Sequence, residues 1–178
     1  MRVVAGAFGG RPLKAPPGRR TRPTADRVRE ALFSILGPLD GARAADLFAG
    51  SGALGIEALS RGAASATFVE RDRRAAATIR ENLLAIGAQD RATVVARDAL
   101  RWLASAADGP AYDLVLLDPP YDSAHRLAGP LSERLPAVLA PNAIVVSESD
   151  KRNPLNLDLP LDGERAYGDT RIAVHRAG

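Results

Sequence analysis

From residue 44 to residue 147, short apolar runs alternate with segments whose apolar positions recur every three or four residues. The short runs read as strands and the 3.6-periodic segments as helices. Strands are expected at 44–48, 66–70, 93–96, 112–117 and 143–147, with helices at 53–60, 75–86 and 99–106 between them. Gly62 and Gly87 stop two of these helices, because glycine takes the left-handed conformation that closes a helix. Residues 112–117 are almost wholly apolar, as a parallel strand covered on both faces must be. Residues 125–139 are helical in period but hold Pro130 and Pro136, which predicts a kink or a split. Two more strands are expected within 164–176, around the turn signal Gly168-Asp169. Ahead of the alternation, Val28, Leu32 and Ile35 line one face of a helix that starts near Thr24, a capping residue, and ends at Gly37-Pro38. Residues 2–5 and 11–15 flank Gly6, Gly9 and Gly10, which predicts a small β-hairpin, and the turn-rich stretch 16–23 predicts a linker. Strands alternating with helices specify a doubly wound α/β fold closed by an antiparallel end. The expected division is 1–21 as hairpin and linker, and 22–178 as the α/β domain.

Composition narrows the chemistry by exclusion. The chain has no cysteine, so disulfides, thiolate metal sites and a cysteine nucleophile are out, which fits a cytoplasmic protein. Two histidines, His125 and His175, are too few and too far apart in sequence for a histidine-rich metal site. No apolar run approaches the ~20 residues of a membrane helix, and no secretory leader is evident, so no membrane partner is expected. The net charge of +3 is unevenly spread. Residues 1–36 hold eight basic residues against two acidic ones, and the remainder is net negative. A basic leading segment can neutralise phosphates, or it can simply be a solvated tail.

Two motifs carry the candidate chemistry. The first is the Gly50-x-Gly52-x-x-Gly55 turn between a strand and a helix, with Phe48 and Ser51 in the same loop. Glycine lets the backbone turn sharply and approach a ligand closely, although a tight structural turn has the same signature. Glu70 lies 20 residues after Gly50 at the end of the next strand, with Arg71 beside it, where a carboxylate can take both hydroxyls of a ribose. Asp46 precedes Gly50 by four residues. An acid there repels a pyrophosphate and suits a cation, which favours S-adenosylmethionine, with its ammonium and sulfonium, over a dinucleotide. Asp98 ends a further strand ahead of Ala99; it can accept from an adenine amino group or cap the following helix. The second motif is Asp118-Pro119-Pro120-Tyr121, directly after the buried strand. Its prolines fix a rigid exit, so that the Asp118 carboxylate and the Pro119 carbonyl can both accept from an amino group. Tyr121 offers a flat face for a base to stack on. The plainer alternative is a strand terminator with a core tyrosine.

Taken together, these residues resemble the Rossmann-like S-adenosylmethionine methyltransferases that modify exocyclic amines, and more narrowly the RsmD-type 16S ribosomal RNA guanine-N2 family. The resemblance runs through residues 1–6, 22–33, the glycine loop, Glu70, Asp98 and Asp118–Tyr121. It implies a mostly parallel seven-stranded sheet with an antiparallel C-terminal hairpin, and methyl transfer to guanine N2 of the guanine-966 type, leaving S-adenosylhomocysteine. It further implies that Asp46, Gly50 and Gly52 line the methionine end of the cofactor, that Glu70 holds the ribose, and that Asp98 and Ala99 hold the adenine. Asp118 and Pro119 would grip the amine, with Tyr121 on the base. The hairpin and the arginine-rich segment, through Arg2, Arg11, Arg22, Thr24, Arg27 and Arg29, would contact 16S rRNA in the small subunit or its assembly intermediate, with the protein acting as a monomer. Where Ala7, Phe8 and Gly9 stand, the family often has basic or bulky residues. A DNA adenine-N6 methyltransferase, a catalytically silent RNA-binding assembly module and an NAD-binding oxidoreductase are the competing readings; Asp46 opposes the last.

Overall fold

A computed structural model describes residues 1–17, 26–109 and 111–178. Arg22 and Thr24, and most of the expected linker, lie outside the described residues. Seven strands form one sheet in the order β3-β2-β1-β4-β5-β7-β6. They are β1 (Arg43–Leu47), β2 (Ser65–Val69), β3 (Ala92–Val95), β4 (Tyr112–Leu117), β5 (Leu139–Asp150), β6 (Leu161–Tyr167) and β7 (Thr170–Arg176). The pairs among β1 to β5 are parallel, and β7 runs antiparallel to both β5 and β6.

Five helices cover the sheet: α1 (Asp26–Leu36), α2 (Ala53–Ser60), α3 (Arg73–Ile86), α4 (Ala99–Leu103) and α5 (Ala124–Arg134). Each face of the sheet has its own core. On one, Leu32 and Phe33 of α1, Ile56 of α2 and Leu83 of α3 pack on Leu114, Leu116 and Val146. On the other, Leu103 of α4 and Leu131 of α5 pack on Leu47, Val115, Leu117 and Val145. Alternate residues of a strand feed opposite faces, which is why the central strands read as unbroken apolar runs.

Element ends differ from the periodic pattern where local hydrogen bonding intervenes. α3 starts at Arg73, two residues early, because the Asp72 carboxylate accepts from the Arg74 and Ala75 N–H groups. α4 stops at Leu103 rather than 106, where the Ser105 hydroxyl donates to the Arg101 and Trp102 carbonyls and competes with the helix. The segment 125–139 does split. α5 tolerates Pro130, then a tighter 3-10 turn spans Leu135–Val138, with Pro136 near its start, where a missing N–H costs nothing. β5 then runs on to Asp150, well beyond the expected 143–147.

The expected N-terminal hairpin is reduced to one bridge, Arg2 to Pro12. Its neighbours still pair: Val3 N–H donates to Arg11 O, and Gly10 N–H to Val3 O. The loop is seated on the domain. Val3 and Leu13 are buried in the first core, and the buried Glu57 of α2 accepts from the N–H groups of Val4 at 2.7 Å and Ala5 at 3.0 Å. A Cβ on Gly6 would fall 2.0 Å from the Ser60 carbonyl oxygen, so only glycine permits this contact.

Replacing Glu57 with alanine leaves two N–H groups and the Arg61 guanidinium, 2.8 Å away, without their acceptor. The expected cost is about 3–5 kcal/mol, read from the denaturant midpoint, with faster amide exchange at Val4 and Ala5. Unchanged exchange there would mean that the loop is held by other contacts.

Candidate active site

The sheet register places four carboxylates together. Leu47 is level with Val69 on one side and Leu117 on the other, and Leu117 is level with Ser147. Glu70, Asp118 and Glu148 each come one residue after that row, and Asp46 one before it. They stand at the carboxyl ends of four adjacent parallel strands, where this architecture opens its ligand crevice. Their charges interact: Glu70 raises Asp46, and Glu148 and Asp46 both raise Asp118.

The glycine loop is folded onto these acids. The Phe48 and Ala49 N–H groups both donate to Val69 O. Phe48 itself is left-handed at φ 70°, an unfavourable conformation for a bulky residue held by these bonds. Gly50 N–H donates to Glu70 Oε2 at 2.8 Å, and Asp72 N–H to Glu70 Oε1 at 2.8 Å. Gly55 N–H donates to Asp46 Oδ2 at 2.9 Å. The third glycine serves packing: a Cβ on Gly55 would sit 2.4 Å from Phe68 Cε1 and 3.1 Å from Asp46 Cβ.

A cavity of about 560 Å³ opens between the glycine loop and the β4 exit. Asp46, Phe48, Gly50, Ser51, Glu70, Arg71, Asp98 and Ala99 line it on the side of the first motif. Asp118, Pro119, Pro120 and Tyr121 line it on the other. Gly52 alone among the expected catalytic and cofactor-binding residues is not part of the wall; at φ 80° it forms the cap of α2. Asp98 does cap α4, accepting from Arg101 N–H at 3.1 Å, while its side also faces the cavity. Tyr121 is exposed at the mouth, and Asn153 beyond β5 donates to its carbonyl at 2.6 Å.

Two features fit a cationic ligand. Asp46 Oδ1 is buried without a hydrogen-bond partner, an unusual cost for a carboxylate. Burial, opposed by the Gly55 N–H and reinforced by the Glu70 charge, pushes the Asp46 carboxyl up to about 7. Asp118 is likewise raised well above the ordinary carboxylate range by burial, then by Glu148 and by Asp46. An ammonium entering beside Asp46 would satisfy the orphan oxygen and relieve this crowding. These residues therefore suit S-adenosylmethionine. Among the described residues no cluster of three or more His, Cys, Asp or Glu is arranged to hold a metal ion, and no helix is long and apolar enough to cross a membrane.

Sequence reasoning missed three parts of the site. Glu148 stands at a strand end like the other acids, and the same positional logic would have found it. Asn82, in the middle of α3, carries no sequence signal. Met1, Ala15 and Pro16 line the cavity although the N-terminal segment reads as an appendage. The expected basic surface is also corrected at one point. Arg2, Arg11 and Arg27 are exposed, but Arg29 is fully buried, donating through Nη2 to Arg2 O and to Asp26 Oδ1, both at 2.6 Å. It holds the chain and has no surface to offer a phosphate.

Residues 1–176 match the model of a family described as Conserved hypothetical protein 95. The Escherichia coli (strain K12) ribosomal RNA small subunit methyltransferase D is 40% identical over 161 residues, covering 87% of this chain and 77% of the relative. The Haemophilus influenzae protein of the same name is 38% identical over 159 residues, covering 87% and 81%. A solved structure of a Thermus thermophilus hypothetical protein aligns with TM-score 0.82 at 32% identity, covering 98% of each chain.

The raised Asp46 carboxyl sets a pH dependence. A cation is attracted to its ionised form, which predominates only above about pH 7. S-adenosylhomocysteine, which keeps the ammonium, should therefore bind more tightly as pH rises from about 6, by up to tenfold per unit, and level off above about 7. Calorimetry across this range checks it. Asp46→Asn should flatten the profile, and a flat wild-type profile would refute the assignment.

Proposed function

This chain belongs to the Conserved hypothetical protein 95 family, the family of the small-subunit ribosomal RNA methyltransferases D, and from that premise we propose that it methylates the exocyclic N2 of a guanine in 16S ribosomal RNA, using S-adenosylmethionine. One observation carries the reading: the amine-gripping motif Asp118–Tyr121 and the cation-seeking Asp46 line the same cavity. The cofactor, when bound, supplies an electrophilic methyl group on a sulfonium.

The protein's own part is positioning and proton handling. Asp46 would take the ammonium, Glu70 the ribose and Asp98 with Ala99 the adenine. An exocyclic amine is a weak nucleophile because its lone pair is delocalised into the ring. The Asp118 carboxylate and the Pro119 carbonyl accept its two N–H bonds and draw the nitrogen towards a pyramidal shape, aiming the lone pair at the methyl. Tyr121 stacks on the base, a contact worth about 1–3 kcal/mol in comparable sites. Pro119 and Pro120 keep this grip rigid, and holding the reacting atoms in line supplies much of the rate. Bond formation leaves the nitrogen with one proton too many. Asp118, whose proton affinity is raised by burial, Glu148 and Asp46, is placed to take it. The base must leave its stack to reach Tyr121, which favours a guanine in a loop over one in a duplex.

Small ribosomal subunits lacking the modification, incubated with labelled S-adenosylmethionine and then digested, should yield N2-methylguanosine. Asp118→Ala should lower the rate at least about 100-fold while S-adenosylhomocysteine affinity changes little. Methyladenosine in duplex DNA would instead establish the adenine-N6 reading, and a fully active Asp118→Ala would remove Asp118 from catalysis. Replacing Arg11 and Arg27 together should weaken RNA binding and flatten its log–log salt slope by about one to two units. An unaltered slope would leave them without phosphate contacts.

A further inference from the structure

Asn82 occupies the middle of α3 and is almost wholly buried. It makes three hydrogen bonds to two separate backbones. Its Oδ1 accepts from Lys14 N–H at 2.8 Å, and its Nδ2 donates to Lys14 O at 3.1 Å. The same Nδ2 donates to Ser51 O, inside the glycine loop, at 3.0 Å. One amide thus pairs with Lys14 as a neighbouring strand would, while also holding the carbonyl of the loop residue between Gly50 and Gly52.

Ser51 lines the cavity, and Lys14 directly precedes Ala15, which lines it too. Ser51 and Gly50 form part of one side, and Met1, Ala15 and Pro16 of the N-terminal segment form part of another. The same segment carries Arg2, Arg11 and Lys14 at its exposed surface, where Arg2 pairs with Asp26 at 3.2 Å and Lys14 with Glu81 at 2.9 Å, exposed pairs that a phosphate can displace. It therefore has a polar outer surface suited to phosphate and an inner edge in the cofactor cavity, with Asn82 joining that edge to the loop that receives the cofactor.

We propose that Asn82 is a positioning residue that locks the N-terminal segment to the glycine loop, so that cofactor and RNA each strengthen the binding of the other. The inference rests on the methyltransferase reading above. RNA held on the outer surface of the segment bears on Lys14, Asn82 carries that restraint to Ser51, and the cavity wall is held more firmly when the cofactor arrives. Linkage makes the effect reciprocal: the factor by which RNA tightens the cofactor equals the factor by which the cofactor tightens RNA.

The test is the dissociation constant of S-adenosylhomocysteine, with and without saturating unmodified small ribosomal subunits. In the wild type, the subunits should tighten it by about fivefold or more. Asn82→Ala should weaken binding to the free protein and reduce the coupling factor to near one. Alanine is the better helix former, so α3 itself is preserved. Lys14→Pro is the second variant: it removes the N–H that donates to Asn82 while leaving the Asn82–Ser51 bond. It should also abolish the coupling, with a smaller effect on binding to the free protein.

A purely structural amide would lower the melting temperature in both variants and leave affinity and coupling at wild-type values in the folded protein; that result overturns the proposal. So does a wild type with no coupling. A wild type that binds no S-adenosylhomocysteine at all marks the failure of the methyltransferase reading itself, and the proposal falls with it.

Discussion

Negative charge gathered at the carboxyl ends of the central strands is the constraint on which the rest of this site depends. Asp46, Glu70, Asp118 and Glu148 are brought together by strand register alone, at the ends of β1, β2, β4 and β5. Removing such groups from water costs several kcal/mol each unless they are paired. The fold offsets part of this with backbone N–H groups: Gly50 of the glycine loop and Asp72 of the β2–α3 turn on Glu70, and Gly55 on Asp46. The loop's shape is thus the consequence of where the acids lie. Its left-handed Phe48, Gly50 and Gly52 are the conformations that aim those N–H groups inward. Asp46 Oδ1 is left over, so the same arrangement that shapes the loop creates the demand for a positive ligand.

The N-terminal segment extends this logic beyond the sheet. Glu57 on α2 and Asn82 on α3 are buried polar side chains inside helices. Each instead satisfies backbone groups of a segment with almost no strand pairing of its own. A loop with so little pairing of its own is held also by side chains of the domain, and so its position is tied to the helices that flank the glycine loop. Through Met1, Ala15 and Pro16 the same segment reaches the cavity wall.

The sheet was largely legible because parallel strands buried on both faces leave long apolar runs, and the intervening helices keep a 3.6-residue period. Nearly every expected catalytic and cofactor-binding residue lines one cavity, because strand ends and strand-to-helix turns are local features with local signatures. Asn82 was not legible for the opposite reason: its partners are 31 and 68 residues away, and nothing around it in α3 marks the contact. Arg29 misled because charge in a sequence does not say which way a helix turns it. With Asp26 three residues before it and Arg2 O alongside, its guanidinium is more usefully spent inside. Helix ends shifted wherever a side chain such as Asp72 or Ser105 took over the backbone's hydrogen bonds.

Charge also divides the molecule into two regions with opposite tasks. The acidic strand ends attract a cationic cofactor but repel every phosphate of a nucleic acid. A polyanionic substrate cannot lie along that crevice. On the reading proposed above, it would be held at a basic surface nearby, while a single uncharged base extends across the boundary to Tyr121. Arg2, Arg11 and Lys14 lie on the segment that borders the cavity, so the change of sign occurs within one short stretch of chain. Screening limits each field to about 10 Å at ordinary salt, which is comparable to the reach of one flipped nucleotide. A flipped base therefore meets the acids without bringing its backbone with it. On this view the acidity of the site excludes phosphate as well as binding the cofactor, and the placement of the basic residues follows from the placement of the acids.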